Sequence, residues 1–177
     1  MSRGLIYACA CSRKDVQSAT VQDSGELRYP GTCQTRNLPI DTPNTSLRLI
    51  MPNRLFTAKD YFLGNIEGNP ADQCGDMVIR DRLGQWTYQF SVVIDDLDQG
   101  INLIIRGMDL LASTARQLAL REMILADGPE ILFAHHPLIQ NEWGEKLSKR
   151  ARSESISALR SKGLSPLEVR QLALSSR

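Results

Sequence analysis

Apolar positions along the chain change period several times, and each change marks an element. Residues 4–10 form an apolar, strand-like opening that runs into a polar segment, 12–18, of weak helical character. Pro30-Gly31 within 25–32 reads as a turn that returns the chain toward Cys33. Residues 46–51 and 55–62 carry short, mixed strand signals. Residues 76–82 and 86–93 flank Leu83-Gly84-Gln85 and predict a hairpin. The apolar run 101–105, bounded by Gly100 and Gly107, predicts a parallel strand buried on both faces. A helix should follow it. Thr114 and Gln117 have the spacing of a capping box, and Leu120, Met123 and Ile124 repeat at helical spacing until Asp127-Gly128-Pro129. Residues 131–133 form a second buried strand candidate, which completes the strand, helix, strand crossover of an open α/β sheet. Beyond Arg150 two short helices, 153–162 and 166–174, are expected to meet at Gly163, with Ser165 as N-cap and Pro166 in the first turn.

The bulk composition narrows this picture only a little. At 177 residues and 42% apolar, the chain has material for one core. No apolar run approaches a membrane span and the first residues resemble no targeting segment, so a cytoplasmic protein is expected. A net charge of +1 supplies no global field for nucleic acid, so any RNA contact must come from local basic clusters. The four cysteines, without secretory context, point to metal or buried thiols rather than disulfides.

Three constellations carry candidate chemistry. Cys9-x-Cys11 and Cys33 offer three thiolates for a tetrahedral Zn²⁺ site, with Tyr29, Cys74 and local carboxylates open as the fourth ligand. Four protein ligands would make such a site structural, because no coordination position is left for chemistry. Arg106 lies at the end of the predicted parallel strand, where such sheets place ligands, and a guanidinium can hold a carboxylate through two parallel hydrogen bonds. The run Lys146-Leu147-Ser148-Lys149-Arg150 supplies mobile positive charge suited to developing charge on a nucleotide's phosphates. Asp95, Asp96 and Asp98 look like a paired-carboxylate or divalent-cation site, but turn chemistry in a loop between strands is the favoured reading.

Taken together, these residues resemble the class I glutamyl/glutaminyl-tRNA synthetases, and within them the short glutamyl-Q tRNA(Asp) synthetases. Residues 146–150 match the signature loop K-[ML]-S-K-[SR]. His135-His136-Pro137-Leu138-Ile139-Gln140-Asn141-Glu142 precedes that loop as H-x-P-L-I-x-N-E does in relatives, and residues 86–96 resemble W-x-Y-x-[LF]-x-V-V-x-D-D. Asp109 and Ser113-Thr114 match G-x-D-L-L-x-S-T, although Thr114 is sufficiently explained as a helix cap. The resemblance implies zinc held by Cys9, Cys11, Tyr29 and Cys33, glutamate bound by Tyr88 and Arg106, and nucleotide contacted by Lys149 in a loop that Lys146 starts and Ser148 shapes.

By the same resemblance the fold class is α/β: the second half of a Rossmann-like catalytic domain with a small zinc-binding insertion and a short helical C-terminus. The expected divisions are 1–75 for the insertion and connecting segment, 76–150 for the catalytic half, and 151–177 for the tail. The implied activity is ATP-dependent activation of glutamate, with Mg²⁺ accompanying the ATP, and transfer to queuosine of tRNA(Asp) by a monomer. Family members begin with a nucleotide-binding half carrying an H-[IL]-G-H type motif, and here no histidine precedes residue 135. A chain lacking the groups that position ATP is therefore expected to be inactive alone. The alternatives are a fragment of a glutamyl-tRNA synthetase and a non-catalytic zinc module that requires a separate N-terminal half.

Overall fold

The computed structural model describes residues 4–17, 27–126, 128–141, 144, 146–147 and 153–175. Two sheets share one central helix. The first sheet is antiparallel, in the order β1 (Ile6–Cys9), β2 (Ser46–Leu49), β5 (Met77–Arg80). The second runs β4 (Gly64–Gly68), β3 (Phe56–Asp60), β7 (Leu132–His136), β6 (Leu103–Gly107), with β3, β7 and β6 mutually parallel and β4 antiparallel to β3. Strands from either side of residue 75 enter both sheets, so the boundary expected there does not coincide with a boundary between sheets.

The expected crossover is present. After β6 a 3-10 turn, Met108–Ser113, leads into α4 (Thr114–Ile124), and the chain returns as β7 beside β6. Helix α4 buries Ala115, Ala119 and Leu120 in a core with Leu47, Leu49, Met77 and Ile79 of the antiparallel sheet. Its Leu118 packs against a second cluster, Ala58, Ile131 and Phe133, beneath the parallel sheet. The small side chain of Ala115 permits this approach to the strands. A Cβ added to Gly68 of β4 would lie 2.9 Å from the Ala115 Cβ.

Three expectations are corrected. The hairpin after β5 closes with a single bridge between Arg80 and Trp86, and instead of a strand over 86–93 the chain forms helix α3 (Tyr88–Asp98). The alternation in Trp86-Thr87-Tyr88-Gln89-Phe90 suggested a strand, but Phe90, Val93 and Leu97 lie at helical spacing and pack on the core, with Trp86 stacked on Phe90 at 4.8 Å between ring centroids. Asp95, Asp96 and Asp98 consequently sit in the last turns of a helix, not in a loop between strands. Strand β6 is an edge strand whose Leu103 and Ile105 are 43% and 67% exposed, so it is not buried on both faces.

The remaining elements are short. Helix α1 (Arg13–Gln17) follows β1, and α2 (Pro70–Gln73) is capped by the Asn69 side chain. At the C-terminus α5 (Ile156–Ser161) and α6 (Pro166–Ser175) form the two expected helices. Ser165 and Glu168 make the reciprocal bonds of a capping box at the start of α6, with the Ser165 N–H donating to Glu168 at 2.8 Å and the Glu168 N–H to Ser165 Oγ at 3.4 Å.

Candidate functional site

The parallel strands β3, β7 and β6 end together, and each delivers one polar side chain to a buried network at that end. Asp60 closes β3, His135 lies in β7, and Arg106, opposite His135 in the register, lies in β6. Arg106 Nε donates to His135 Nε2 at 2.9 Å, which leaves His135 Nδ1 to carry the ring proton and donate to Asp60 Oδ2 at 2.6 Å. Asp60 also accepts from the backbone N–H groups of His135, Phe62 and Leu63 at 2.9–3.1 Å. Burial alone would raise the Asp60 carboxyl, but these donors more than compensate and hold it below the usual carboxylate value.

Helices α4 and α3 supply the other side of the cradle. Arg106 Nη2 donates to Thr114 Oγ1 at 2.7 Å, and Nη1 donates to Gln117 Oε1. Gln117 Nε2 in turn donates to Gln89 Oε1 at 2.7 Å, and Gln89 Nε2 to Ser113 Oγ at 2.9 Å. The capping-box reading of Thr114 and Gln117 is therefore corrected. Ser113 is the cap residue of α4 and makes no side-chain cap bond, while the Thr and Gln side chains turn to the guanidinium. These three bonds engage three of the five guanidinium N–H groups and leave one on each terminal nitrogen for a ligand. Burial lowers the arginine's proton affinity, and the neighbouring Tyr88, Asp96 and Asp60 counter it. Tyr88, in the first turn of α3, is 56% exposed and is one of the groups whose field reaches Arg106.

The start of the lysine loop reaches the same end of the sheet. Lys146 bridges Gln140 in antiparallel fashion and its ammonium pairs with Asp109, three residues beyond Arg106, which holds the Asp109 carboxyl below its ordinary value. A Cβ on Gly107 would come within 2.7 Å of Asp109 Oδ1 and 2.8 Å of Leu138 Cδ2, so the segments are tightly apposed. Ser148 and Lys149, the other two expected loop residues, lie outside the described residues.

The thiols converge elsewhere, at the end of β1. Cys11 Sγ and Cys33 Sγ are 3.5 Å apart, and the sulfurs of Cys9, Cys11 and Cys33 all lie within 4.8 Å of one another. Tyr29 Oη is 3.3 Å from Cys9 Sγ and 3.7 Å from Cys11 Sγ, and accepts the Cys33 backbone N–H at 2.9 Å. A tetrahedral zinc with bonds of about 2.3 Å to sulfur requires sulfur–sulfur separations near 3.7 Å, so the donor set fits that ion in chemistry and size. Burial raises the Cys9 thiol, but Tyr29, Arg48 and the Cys11 backbone outweigh it and leave a pKa of about 7. Burial also raises Cys11, and it raises Tyr29 further with help from the neighbouring thiols. Cys74 is not in the cluster. Its sulfur lies 3.3 Å from the Pro70 carbonyl and 3.2 Å from that of Gly75, within the main core. Asp95, Asp96 and Asp98 form no comparable metal-binding group among the described residues.

Sequence reasoning reached Arg106 but missed the groups that hold it. Asp60, His135, Gln117 and Gln89 come from four elements, and no local pattern links them. The one available signal was that Arg106 and His135 each lie just past the end of a predicted strand, 101–105 and 131–133; the structure pairs them across β6 and β7.

Comparison with known proteins places the chain among relatives of one kind. A glutamyl-Q tRNA(Asp) synthetase of Thiobacillus denitrificans is 37% identical over 155 residues, covering 88% of this chain and 50% of that protein. Another, from Neisseria meningitidis serogroup C, is 35% identical over 173 residues, covering 97% and 58%. The chain thus spans about half the length of the curated relatives it matches. Among solved structures, a glutamate-tRNA synthetase from Elizabethkingia anophelis superposes with a TM-score of 0.61 at 27% identity, covering 82% of this chain and 32% of that one. The family model for the catalytic domain of class I tRNA synthetases (E and Q) matches residues 2–174, and the chain belongs to that family.

Proposed function

We propose that this chain is the zinc-carrying, glutamate-binding part of a ligase that activates glutamate with ATP and transfers it to queuosine of tRNA(Asp). The observation that carries the reading is the Arg106 guanidinium held at the end of the parallel sheet, which Lys146 also reaches through Asp109. There the two remaining guanidinium N–H groups can grip a carboxylate, and the exposed Tyr88 hydroxyl would be its second contact. Activation requires a glutamate carboxylate oxygen to attack the α-phosphorus of ATP, which expels pyrophosphate. Positive charge from Lys149 and Lys146 would stabilise the phosphate oxygens during that step, and Mg²⁺ would accompany the nucleotide. Queuosine and tRNA(Asp) come from the names of the relatives.

The zinc reading rests on three thiols and a phenol gathered within bonding reach of one ion, whose role is to brace the segment around Tyr29 against β1. Replacement of Tyr29 by Phe should weaken zinc binding severalfold, whereas Cys74→Ala should leave it unchanged. Competition with a chromophoric chelator reads both, and the opposite ranking would transfer the fourth ligand to Cys74.

Glutamate-dependent exchange of pyrophosphate into ATP tests the activity. The 177-residue chain is assayed alone and mixed with the half of a relative that it does not cover. Exchange only in the mixture and without tRNA supports the proposal. A strict requirement for tRNA(Glu) would favour the second reading, a portion of a glutamyl-tRNA synthetase, to which the likeness to the solved glutamate-tRNA synthetases points. Zinc binding without affinity for glutamate or ATP would instead identify a non-catalytic module.

A further inference from the structure

Beside the four zinc donors lies a buried cation that the donor set does not explain. Arg48, on β2, is 7% exposed. Its guanidinium carbon lies 3.5 Å from the centroid of the Tyr29 ring, and Nη1 donates to the Asp76 carbonyl at 2.7 Å. Nε is buried and has no hydrogen-bond partner among the described residues. The Asp76 carboxylate is engaged elsewhere, accepting from Tyr7 Oη at 2.6 Å and from the Met51 N–H at 3.3 Å. A guanidinium with an unmet donor this far from water is costly unless a compensating negative charge lies close by.

The zinc centre would provide that charge. Three thiolates and a phenolate around a divalent ion leave a net charge of about −2, and the outer groups around such a site set its affinity as the direct ligands do. We propose that Arg48 is the outer-sphere cation of this centre: stacked on the Tyr29 ring, it stabilises the anionic donor set without touching the metal. Tyr29 is the donor whose ring it covers. A neutral aliphatic side chain would fill the same space, so burial alone does not account for a cation here. A guanidinium also offers a planar face to the ring that an ammonium lacks.

This inference rests on the zinc reading, and the test separates the two. Zinc affinity of the 177-residue chain is measured by chelator competition at fixed pH for the wild type, Arg48→Lys and Arg48→Gln, with circular dichroism confirming that each folds. Removal of the charge in Arg48→Gln is expected to weaken binding about 10- to 100-fold, the range of outer-shell substitutions, with Arg48→Lys clearly tighter than Arg48→Gln. If Arg48→Gln does not fold, Arg48→Met takes its place in the same comparison. Equal affinities in the wild type and the neutral variant, or in the lysine and neutral variants, overturn the role of Arg48 while leaving the zinc site intact. A wild-type chain that binds no zinc overturns both.

Discussion

At the scale of single residues, the network around Arg106 shows how one buried cation is made tolerable. Arg106 is compensated by Asp60 through a histidine that accepts from one and donates to the other, so charge balance is achieved without direct contact. Because the Asp60 carboxyl sits below its unfolded value, its contribution to stability is complete above about pH 4 and is lost as pH falls through the folded value. Asp60→Asn should therefore flatten the acid limb of stability against pH and lower stability at pH 7 by about 1–3 kcal/mol, because buried donors lose their ionised acceptor. Urea unfolding from pH 3 to pH 7 reads this, and parallel curves for the two proteins would remove Asp60 from the balance. His135→Asn tests the relay itself. The variant retains a polar side chain but cannot span Arg106 and Asp60, so glutamate affinity should fall while zinc affinity stays unchanged.

Single turns set the thiol cluster at the scale of elements. Gly75, after α2, has φ +63°, and a Cβ there would lie 2.1 Å from the Tyr29 carbonyl oxygen. The Tyr29 N–H donates to the Cys74 carbonyl at 2.9 Å, so the α2–β5 turn holds Tyr29 in place from behind. Gly75→Ala should cost at least about 1–2 kcal/mol from backbone handedness alone, and the clash should displace Tyr29 and weaken zinc binding. A variant with wild-type melting and zinc affinity would show that the turn is adaptable. Elements were also where sequence reading succeeded and failed for identifiable reasons. β1 and β7 were legible because short apolar runs leave few alternatives, whereas β2 (SLRL) and β3 (FTAKD) gave only short, mixed strand signals. Helix α3 was not, because Trp86 to Phe90 alternate while Phe90, Val93 and Leu97 recur at helical spacing, and only the core beneath decides between the periods. Thr114 and Gln117 satisfied a capping pattern, but the buried guanidinium, a charged donor, has the stronger claim on their oxygens.

At the scale of the whole molecule, the sequence located the ends of the candidate site, Arg106 and the thiols, but not the surface that the fold leaves open. A run of apolar residues over 101–105 cannot reveal whether both faces find a neighbour. On β6 the face with Ile104 and Arg106 packs inward, while Leu103 and Ile105 point away from the core and, among the described residues, lie on an edge strand. Leu103 and Ile105 therefore leave an uncovered apolar area on the outer face of the strand that carries Arg106. Such an area should bind an apolar-surface fluorophore while the chain is fully folded. Ile105→Lys should reduce that fluorescence and, because Ile105 is largely exposed, shift folding stability by no more than about 0.5 kcal/mol. Dye titration and thermal melting of the two proteins together make the check. A substantial loss of stability would mean that Ile105 is buried in solution and that the face is already covered, whereas unchanged dye binding would place the exposed apolar area on another element.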